Sequence, residues 1–547
     1  MTDGMGRAPP MGVTRPREDG MADGDSALAA AAALLSAGRA DAAWILCRPV
    51  LAAGVRAVPW LALAGRVLLA LDRPGEAEPL LALAAGTARP VEAADLGLFT
   101  LWGVALRRLG RVPQAEPVLR MAVRLSPRDA VCHSNLAAVL RVLDRLAEGE
   151  AAARAALALD SDLVNAHVNL ASLLLARGQA RAALAASREA LAREPGQAEA
   201  LYSQAAALQA LDDFAGAAAA WDHAANVHPD DARLGFGRAN LDLARGDLAR
   251  GWAGYDARVA AEPQRFRAIP DLPDWQGQRL DGPLLIWREQ GLGDELMFAS
   301  CYADAIAAAG SAVVRCDPRL AGLFGRAFPG ARMVVEADPA ERDAVAQAAA
   351  GSLPRLLRGR LADFGATGGY LRARPDLLAH WRGRLAALDG DGPATLKVGV
   401  CWRSGLDVES RAGRQAALAD WAPLLGLPGV TAIMLQYGDT EAERAALGPL
   451  APRHFPDLDQ RDDLEGLAAL LSALDLVVTV PTATGELAGA LGVPVWRLAG
   501  ELDVTCLGTG ARPWFPSMRV FRAGATPRAT VIRRMAAEIA ERRPTAA

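Results

Sequence analysis

A 34-residue period runs through the first half of the chain, and no other feature constrains the fold as strongly, because a missed internal repeat misassigns a whole architecture. Asn135-Leu136-Ala137 recurs as Asn169-Leu170-Ala171, and the same position falls next at Ser203 and Gly237. A turn-type residue returns at Gly38, Asp72, Gly110, Asp144, Gly178, Asp212 and Gly246. Five positions later stand only small residues: Ala43, Ala77, Ala115, Gly149, Ala183, Ala217 and Gly251. Pro127, Pro195, Pro229 and Pro263 fall in register near the unit ends. The physical reading is a stack of paired helices. Gly or Asp breaks the first helix, small residues let the two backbones approach where they cross, and proline fixes the start of the next unit.

This pattern resembles the tetratricopeptide repeat (TPR). Seven units start near Gly24, Val58, Leu96, Ala130, Val164, Ala198 and Ala232, with about four extra residues in the second, around Gly86 to Pro90. The first two and the last are the least regular, as capping repeats are. The concave face of such a solenoid generally binds a peptide or partner chain rather than performing chemistry. His133, His167, His223 and His228 lie in this half, and no two stand at the i, i+4 spacing of a metal site, so helix packing accounts for them. Asn135 and Asn169 fit two readings equally, hydrogen bonding to a peptide in the groove or satisfaction between helices.

The 547 residues allow three to four domain-sized units. Lys plus Arg is 59 against Asp plus Glu 63, a net charge of −4, so the chain lacks the basic field that selects nucleic acid or an anionic membrane. Lys397 is the single lysine, so guanidinium groups must carry any cationic role. The six cysteines form no C-x-x-C pair and read as buried small hydrophobes in a reducing compartment. The amino terminus has no apolar signal core, and the longest uncharged run, Trp421 to Gly438, is broken by prolines. The expectation is a cytoplasmic protein with no membrane insertion.

Past Pro263 the period stops. Pro283 to Trp287 reads as a buried strand, followed by a glycine turn and a helix from Glu295 to Ala309, the opening of a βαβ unit. The alternation continues with a strand at Ala312–Cys316, a helix at Arg319–Phe328 and a strand at Arg332–Glu336. After Asp389-Gly-Asp-Gly392 a second series places strands at Lys397–Trp402, Val430–Gln436, Asp475–Val480 and Val493–Arg497. The expected division is a tail over residues 1–23, a TPR array over 24–265, a first Rossmann-like lobe over 266–392 and a second over 393–547.

Three stretches carry a further resemblance. Glu289-Gln-Gly-Leu-Gly-Asp294-Glu-Leu-Met-Phe298, the run from Ala473 through Val480-Pro-Thr-Ala-Thr-Gly-Glu486 to Trp496, and Pro513-Trp-Phe-Pro-Ser-Met-Arg519 look like the bacterial TPR-glycosyltransferases. These are similar to heptosyltransferases and O-GlcNAc transferases and share the two-lobed GT-B fold. The resemblance spans about residues 270 to 525. It implies an α-solenoid of TPR helix pairs followed by an α/β GT-B body of two Rossmann-like lobes. The implied activity is metal-independent transfer of a sugar from a nucleotide-sugar donor, with no other cofactor. The implied acceptor is Ser or Thr of a protein recruited by the TPR groove, with flagellin favoured.

The resemblance assigns Asp294 as general base, with Glu295 the alternate, on the turn made by Gly291 and Gly293. First-turn acids complementing a helix dipole would look the same. On the donor side, amide groups of Ala483, Thr484 and Gly485 at a helix start point to an anion, with hydroxyls from Thr482 and Thr484 and with Glu486 beside them. A simple helix N-cap has the same pattern. Arg403 and Ser404, at a strand end, with Arg411 and Arg414 in the loop beyond, are candidates to clamp a leaving diphosphate. Gln436, in Gln436-Tyr437-Gly438, matches the nucleobase-contacting segment. One departure stands out: where relatives carry histidine after Asp-Thr-Ala-x-x, this chain has Glu486 after Pro481-Thr-Ala-Thr-Gly. That departure motivates the contrary expectation of a non-catalytic TPR adaptor with a degenerate transferase body.

Overall fold

The computed structural model describes residues 19–95, 97–261, 269, 271–335, 338–365, 368–404, 416–500, 503–524 and 526–542. Residues up to Leu173 form one compact unit and those from Leu174 a second.

The first unit is built of antiparallel helix pairs: α1 (Asp19–Ser36) with α2 (Ala40–Ala52), α3 (Val58–Ala70) with α4 (Pro74–Thr87), then a short α5 (Pro90–Asp95). The pairs α6 (Leu98–Arg108) with α7 (Val112–Leu125) and α8 (Ala130–Val142) with α9 (Leu146–Leu159) follow, and most of α10 (Val164–Ala176) completes it. The extra residues expected in the second repeat, around Gly86 to Pro90, fall at the end of α4 and the start of α5. The periodic turn residues do what their chemistry suggests: Gly38, Asp72, Gly110 and Asp144 all sit at positive φ, between 54° and 73°. Aspartate tolerates this conformation because its short carboxylate bonds locally. The small residues five positions on are buried, Ala43, Ala77 and Ala115 without any exposure. A β-carbon on Gly149 would meet Leu173 Cδ2 at 2.7 Å, so the crossing leaves no room for one.

The second unit continues the same grammar through α11 (Ala180–Arg193), α12 (Ala198–Ala210), α13 (Phe214–Val227), α14 (Ala232–Arg245), α15 (Leu248–Tyr255) and α16 (Ala257–Ala261). It then changes to two parallel sheets. The first holds β1 (Leu284–Trp287), β2 (Ala312–Arg315), β3 (Ala331–Val334) and β4 (Ala346–Ala349) in the order β3-β2-β1-β4. Its helices are α17 (Leu292–Phe298), α18 (Tyr302–Ala309), α19 (Ala321–Ala327), α20 (Leu353–Leu357) and α21 (Pro375–Ala386). The second sheet holds β5 (Leu396–Cys401), β6 (Val430–Met434), β7 (Leu476–Thr479), β8 (Val495–Ala499) and β9 (Met518–Arg522) in the order β6-β5-β7-β8-β9. Its helices are α22 (Ala422–Leu425), α23 (Glu441–Leu447), α24 (Leu464–Ser472), α25 (Ala483–Ala490) and α26 (Arg528–Glu541).

Two strands escape the sequence pattern. In β4, Ala-Gln-Ala-Ala, all four residues are buried, yet their composition favours helix. In β9 the buried positions are only Met518 and Phe521. The last helix pair packs into the same core as the sheets. Leu243, Leu248, Trp252 and Tyr255 share one apolar cluster with Ile286, Phe298 and Trp514. Trp252 Nε1 donates to the carbonyl of Arg358 at 3.1 Å, and its ring meets Trp514 edge-on at 6.0 Å. Among the described residues no helix is long and apolar enough to cross a membrane. All six cysteines are buried free thiols.

Candidate functional site

The sequence candidates concentrate in the second unit, at the carboxyl ends of β1, β5 and β7. Helix α25 starts where β7 ends. Thr482 caps it, its Oγ1 accepting from the Gly485 amide at 3.3 Å and lying 2.9 Å from Thr479 Oγ1. Gly485 has no space for a side chain, since a β-carbon would stand 2.7 Å from Thr479 Cγ2. Opposite lies the turn into α17. A β-carbon on Gly293 would fall 3.3 Å from Glu486 Cγ and 3.9 Å from the Ala483 amide nitrogen. The start of α25, with Ala483 and Thr484, therefore faces the Gly291–Gly293 turn at close range.

Glu486 is buried and spans two guanidinium groups. Its Oε1 accepts from Arg497 Nη1 at 2.7 Å and its Oε2 from Arg512 Nη2 at 2.6 Å. Asp503 Oδ2 completes the group, 3.2 Å from Arg497 and 3.9 Å from Arg512. Burial pushes the Asp503 carboxyl up, but Arg497, Arg512 and Thr505 outweigh it and leave the group below its usual range. Burial lowers Arg512 from its ordinary value, with Glu486 opposing. Two acids and two bases thus neutralise one another in a nearly dry environment, where an unpaired charge would be costly. Arg497, Arg512 and Asp503 complete this arrangement, and no sequence motif marks them beyond the Pro513-Trp-Phe-Pro neighbourhood.

On α17, Asp294 Oδ2 accepts from the Gly291 amide at 3.3 Å. Burial raises its carboxyl, and the charges of Glu486 and Glu289 add to the effect against Gly291 and Arg512. Glu295 points elsewhere: its Oε1 accepts from the Asp317 amide at 2.9 Å, and burial pushes it up to about 7 against the pull of that amide and of Arg288. The structure therefore separates these adjacent acids, Asp294 towards α25 and Glu295 into the first sheet.

At the end of β5, Arg403 forms a two-pronged pair with Glu443, both contacts 2.8 Å, and Trp402 Nε1 donates to the same carboxylate at 2.8 Å. Burial raises Glu443, but Arg403 and Trp402 more than reverse it. Gln436 Oε1 accepts from the Trp402 and Arg403 amides at 3.1 and 2.9 Å, so its side chain fastens the β5 loop to β6. Arg411 and Arg414 lie outside the described residues. Ser404 borders a cavity of about 780 Å³ whose other walls include Tyr202, Trp221, Asn240, Pro481 and Arg497. None of these five was a sequence candidate except through the Val480-Pro481 motif, because the solenoid positions show only their repeat register.

In the repeats, His133 and His167 each hold a turn carbonyl, Pro127 O and Ser161 O, at 2.9 Å. Asn169 donates to Ser134 in the preceding repeat at 2.9 Å, and Asn135 to Val131 in its own helix at 3.0 Å. Among the described residues no group of three or more His, Cys, Asp or Glu side chains could hold a metal ion.

A stretch of 295 residues is 37% identical to Protein FlbA of Caulobacter vibrioides, covering 50% of this chain and 48% of that protein. The chain thus spans about half the length of the curated relative it matches. No protein-family profile matches. Three solved structures align in part. The APC/C hetero-tetramer Cut9-Hcn1 shares 14% identity over 43% of this chain and 45% of that one, with a TM-score of 0.38. A tetratricopeptide repeat protein from Parabacteroides merdae shares 18% over 38% and 79%, at 0.31. The TPR protein TTC0263 of Thermus thermophilus shares 27% over 34% and 98%, at 0.29.

The expectation of a bacterial TPR-glycosyltransferase is corrected by these findings. The curated similarity is to FlbA and not to a glycosyltransferase. With it fall the enzymatic assignment, the nucleotide-sugar donor and flagellin as acceptor. Among the described residues the geometry agrees: a leaving diphosphate is stabilised by cations free to face it, whereas Arg403, Arg497 and Arg512 are each bonded to a carboxylate.

Proposed function

We propose that this protein is a non-catalytic TPR adaptor that recruits a partner protein through its helix-pair repeats. The observation that carries this reading is the mutual neutralisation of Glu486, Arg497, Arg512 and Asp503, which commits these four charged groups at the start of α25 to holding the α/β part together. The strand orders support reading the two sheets as a pair of Rossmann-like lobes, since β3-β2-β1-β4 and β6-β5-β7-β8-β9 are doubly wound arrangements. In this reading they serve as scaffold, behind a repeat array over 24–265 and in lobes over 266–392 and 393–547. Buried free thiols agree with a cytoplasmic placement.

Chemical cross-linking of the full chain in its source cells tests the proposal. The expected outcome is one dominant partner protein, cross-linked to the first helices of the repeats (α6, α8, α10, α12, α14) and unmodified in mass. Cross-links confined to the sheets, or a partner that leaves with added sugar mass, would overturn it.

A further inference from the structure

No acidic residue stands between Asp503 and Glu538, and the same stretch holds six arginines, in a chain whose net charge is −4. Arg512 belongs to the buried quartet. The others follow it onto β9 and α26, and Arg542 caps the far end of that helix. Helix α26 lays Val531, Ile532, Met535, Ala536 and Ile539 into the core of the second sheet. Arg533 and Arg534 lie outside that face and are exposed, as are Arg519, Arg522 and Arg542. A cation at the end of a helix complements its dipole, which accounts for Arg542 alone.

Three of these guanidinium groups are gathered by two buried rings. Trp496 of β8 and Phe521 of β9 have centroids 4.9 Å apart and are 2% and 1% exposed. Arg519 lies over both, 5.5 Å from Trp496 and 4.3 Å from Phe521. Arg534 lies over Phe521 at 5.2 Å and Arg542 over Trp496 at 4.8 Å. The ring faces attract the cations and fix where they stand. One carboxylate sits among them: Glu538 accepts from both terminal nitrogens of Arg519 and lies 3.9 Å from Arg534 Nε. Half or more of each of these two arginine side chains is exposed, so water screens the pairs. Three cations around one anion leave positive charge in excess, and Arg533, which donates to Thr530 Oγ1 at 2.9 Å, adds to it.

Pre-placed guanidinium forks match carboxylates and phosphates alike, and the remainder of the chain decides between their sources. A nucleic acid strand or a lipid surface extends well past the ~8 Å over which salt screens charge. It would therefore meet the acidic remainder of the chain and be repelled. A short acidic segment meets only the local excess. Arg533 to Arg542 covers ~14 Å along α26, the reach of about four extended residues, so a few neighbouring acids can engage the whole face.

We infer that the face formed by β9 and α26 is a second docking surface, which takes a short Asp- or Glu-rich segment of a second protein partner. Its carboxylates bridge Arg519, Arg534 and Arg542, with Arg533 at the margin. The inference rests on the adaptor reading and supplies the second contact that joining two proteins requires.

The probes are fluorescein-labelled dodecapeptides of alternating Glu and Ala or of alternating Gln and Ala, an oligothymidylate of matched charge, and vesicles of equal parts phosphatidylserine and phosphatidylcholine. Each is titrated with the purified full chain, by fluorescence polarisation or, for the vesicles, by co-sedimentation. The double variant Arg534→Gln/Arg542→Gln removes two of the clustered charges at exposed positions, and Arg533→Gln removes one that touches neither ring. Arg382→Gln, at an exposed arginine of α21, is the control. The expected result is saturable binding of the Glu peptide, weakened roughly tenfold or more by the double variant, less by Arg533→Gln and not at all by the control. Added salt weakens the same binding, and every variant keeps a cooperative melt. The inference is overturned if the Gln peptide binds as tightly as the Glu peptide or if neither patch variant weakens binding. Preferential binding of the oligothymidylate or the vesicles overturns it as well. If the peptide result fails while cross-linking still recovers a partner on the repeats, the second surface falls and the adaptor reading stands. If the repeats yield no partner, the adaptor reading falls, and the peptide result still decides whether this face binds acidic segments.

Discussion

Replacing Glu486 by Gln keeps the side chain's shape and one acceptor while deleting the charge between two arginines. The side chains of Glu486, Arg497 and Arg512 are 8%, 8% and 2% exposed, so water screens the change very little. Asp503 would then face both guanidinium groups alone, 3.2 and 3.9 Å away. Removing one partner of a buried ion pair costs about 3–5 kcal/mol because the other charge is left uncompensated. In a unit of this size that corresponds to a fall of roughly 4–6 °C in its calorimetric transition. The double variant Glu486→Gln/Arg512→Met should recover part of the loss, since it deletes a stranded cation and offers an apolar replacement. A single-variant shift under about 1 °C, or a double variant no more stable than the single, would refute the claim that this quartet is a structural keystone.

Other outcomes follow from the same physics. Folded Glu295 titrates at about 7 against an ordinary 4.5, so the native state holds a proton that the unfolded chain has released, and stability falls as pH rises through that window. Glu295→Gln should therefore gain up to about 3 kcal/mol at pH 8 and nothing near pH 4, measured by urea denaturation at the two pH values. Ala183 has no exposed surface at a helix crossing, so Ala183→Leu should cost about 1–3 kcal/mol by overpacking, while Ala180→Leu, at a half-buried position, should be tolerated in the same thermal melt. Trp252→Ala should cost about 3–5 kcal/mol through cavity formation and Trp252→Phe about 1 kcal/mol through loss of its bond to Arg358, both read from the second unit's transition.

The repeats were legible because one rule is written seven times. Each turn residue from Gly38 to Gly246 sits at positive φ, and α3, α8, α10, α12 and α14 start at the expected residues. Small residues at a crossing and a residue tolerant of positive φ leave compositional marks that survive any partner. The strands with branched apolar runs were legible for the same reason, while β4 was not, because Ala-Gln-Ala-Ala becomes a strand only through the neighbours that bury it. The candidate site was harder to read. The motif around Pro481 to Glu486 placed a helix start correctly, but whether its glutamate faces a ligand or two arginines depends on Arg497 and Arg512, 11 and 26 residues away.

The most direct test of the adaptor account is a transfer assay on the purified full chain together with its cross-linked partner. CMP-, UDP- and GDP-linked sugars are supplied and the partner is weighed by intact-mass spectrometry. The account predicts a partner whose mass is unchanged with every donor, bound equally well by the parent and by Asp294→Ala. A sugar-mass increment that depends on the chain and disappears in Asp294→Ala would contradict it.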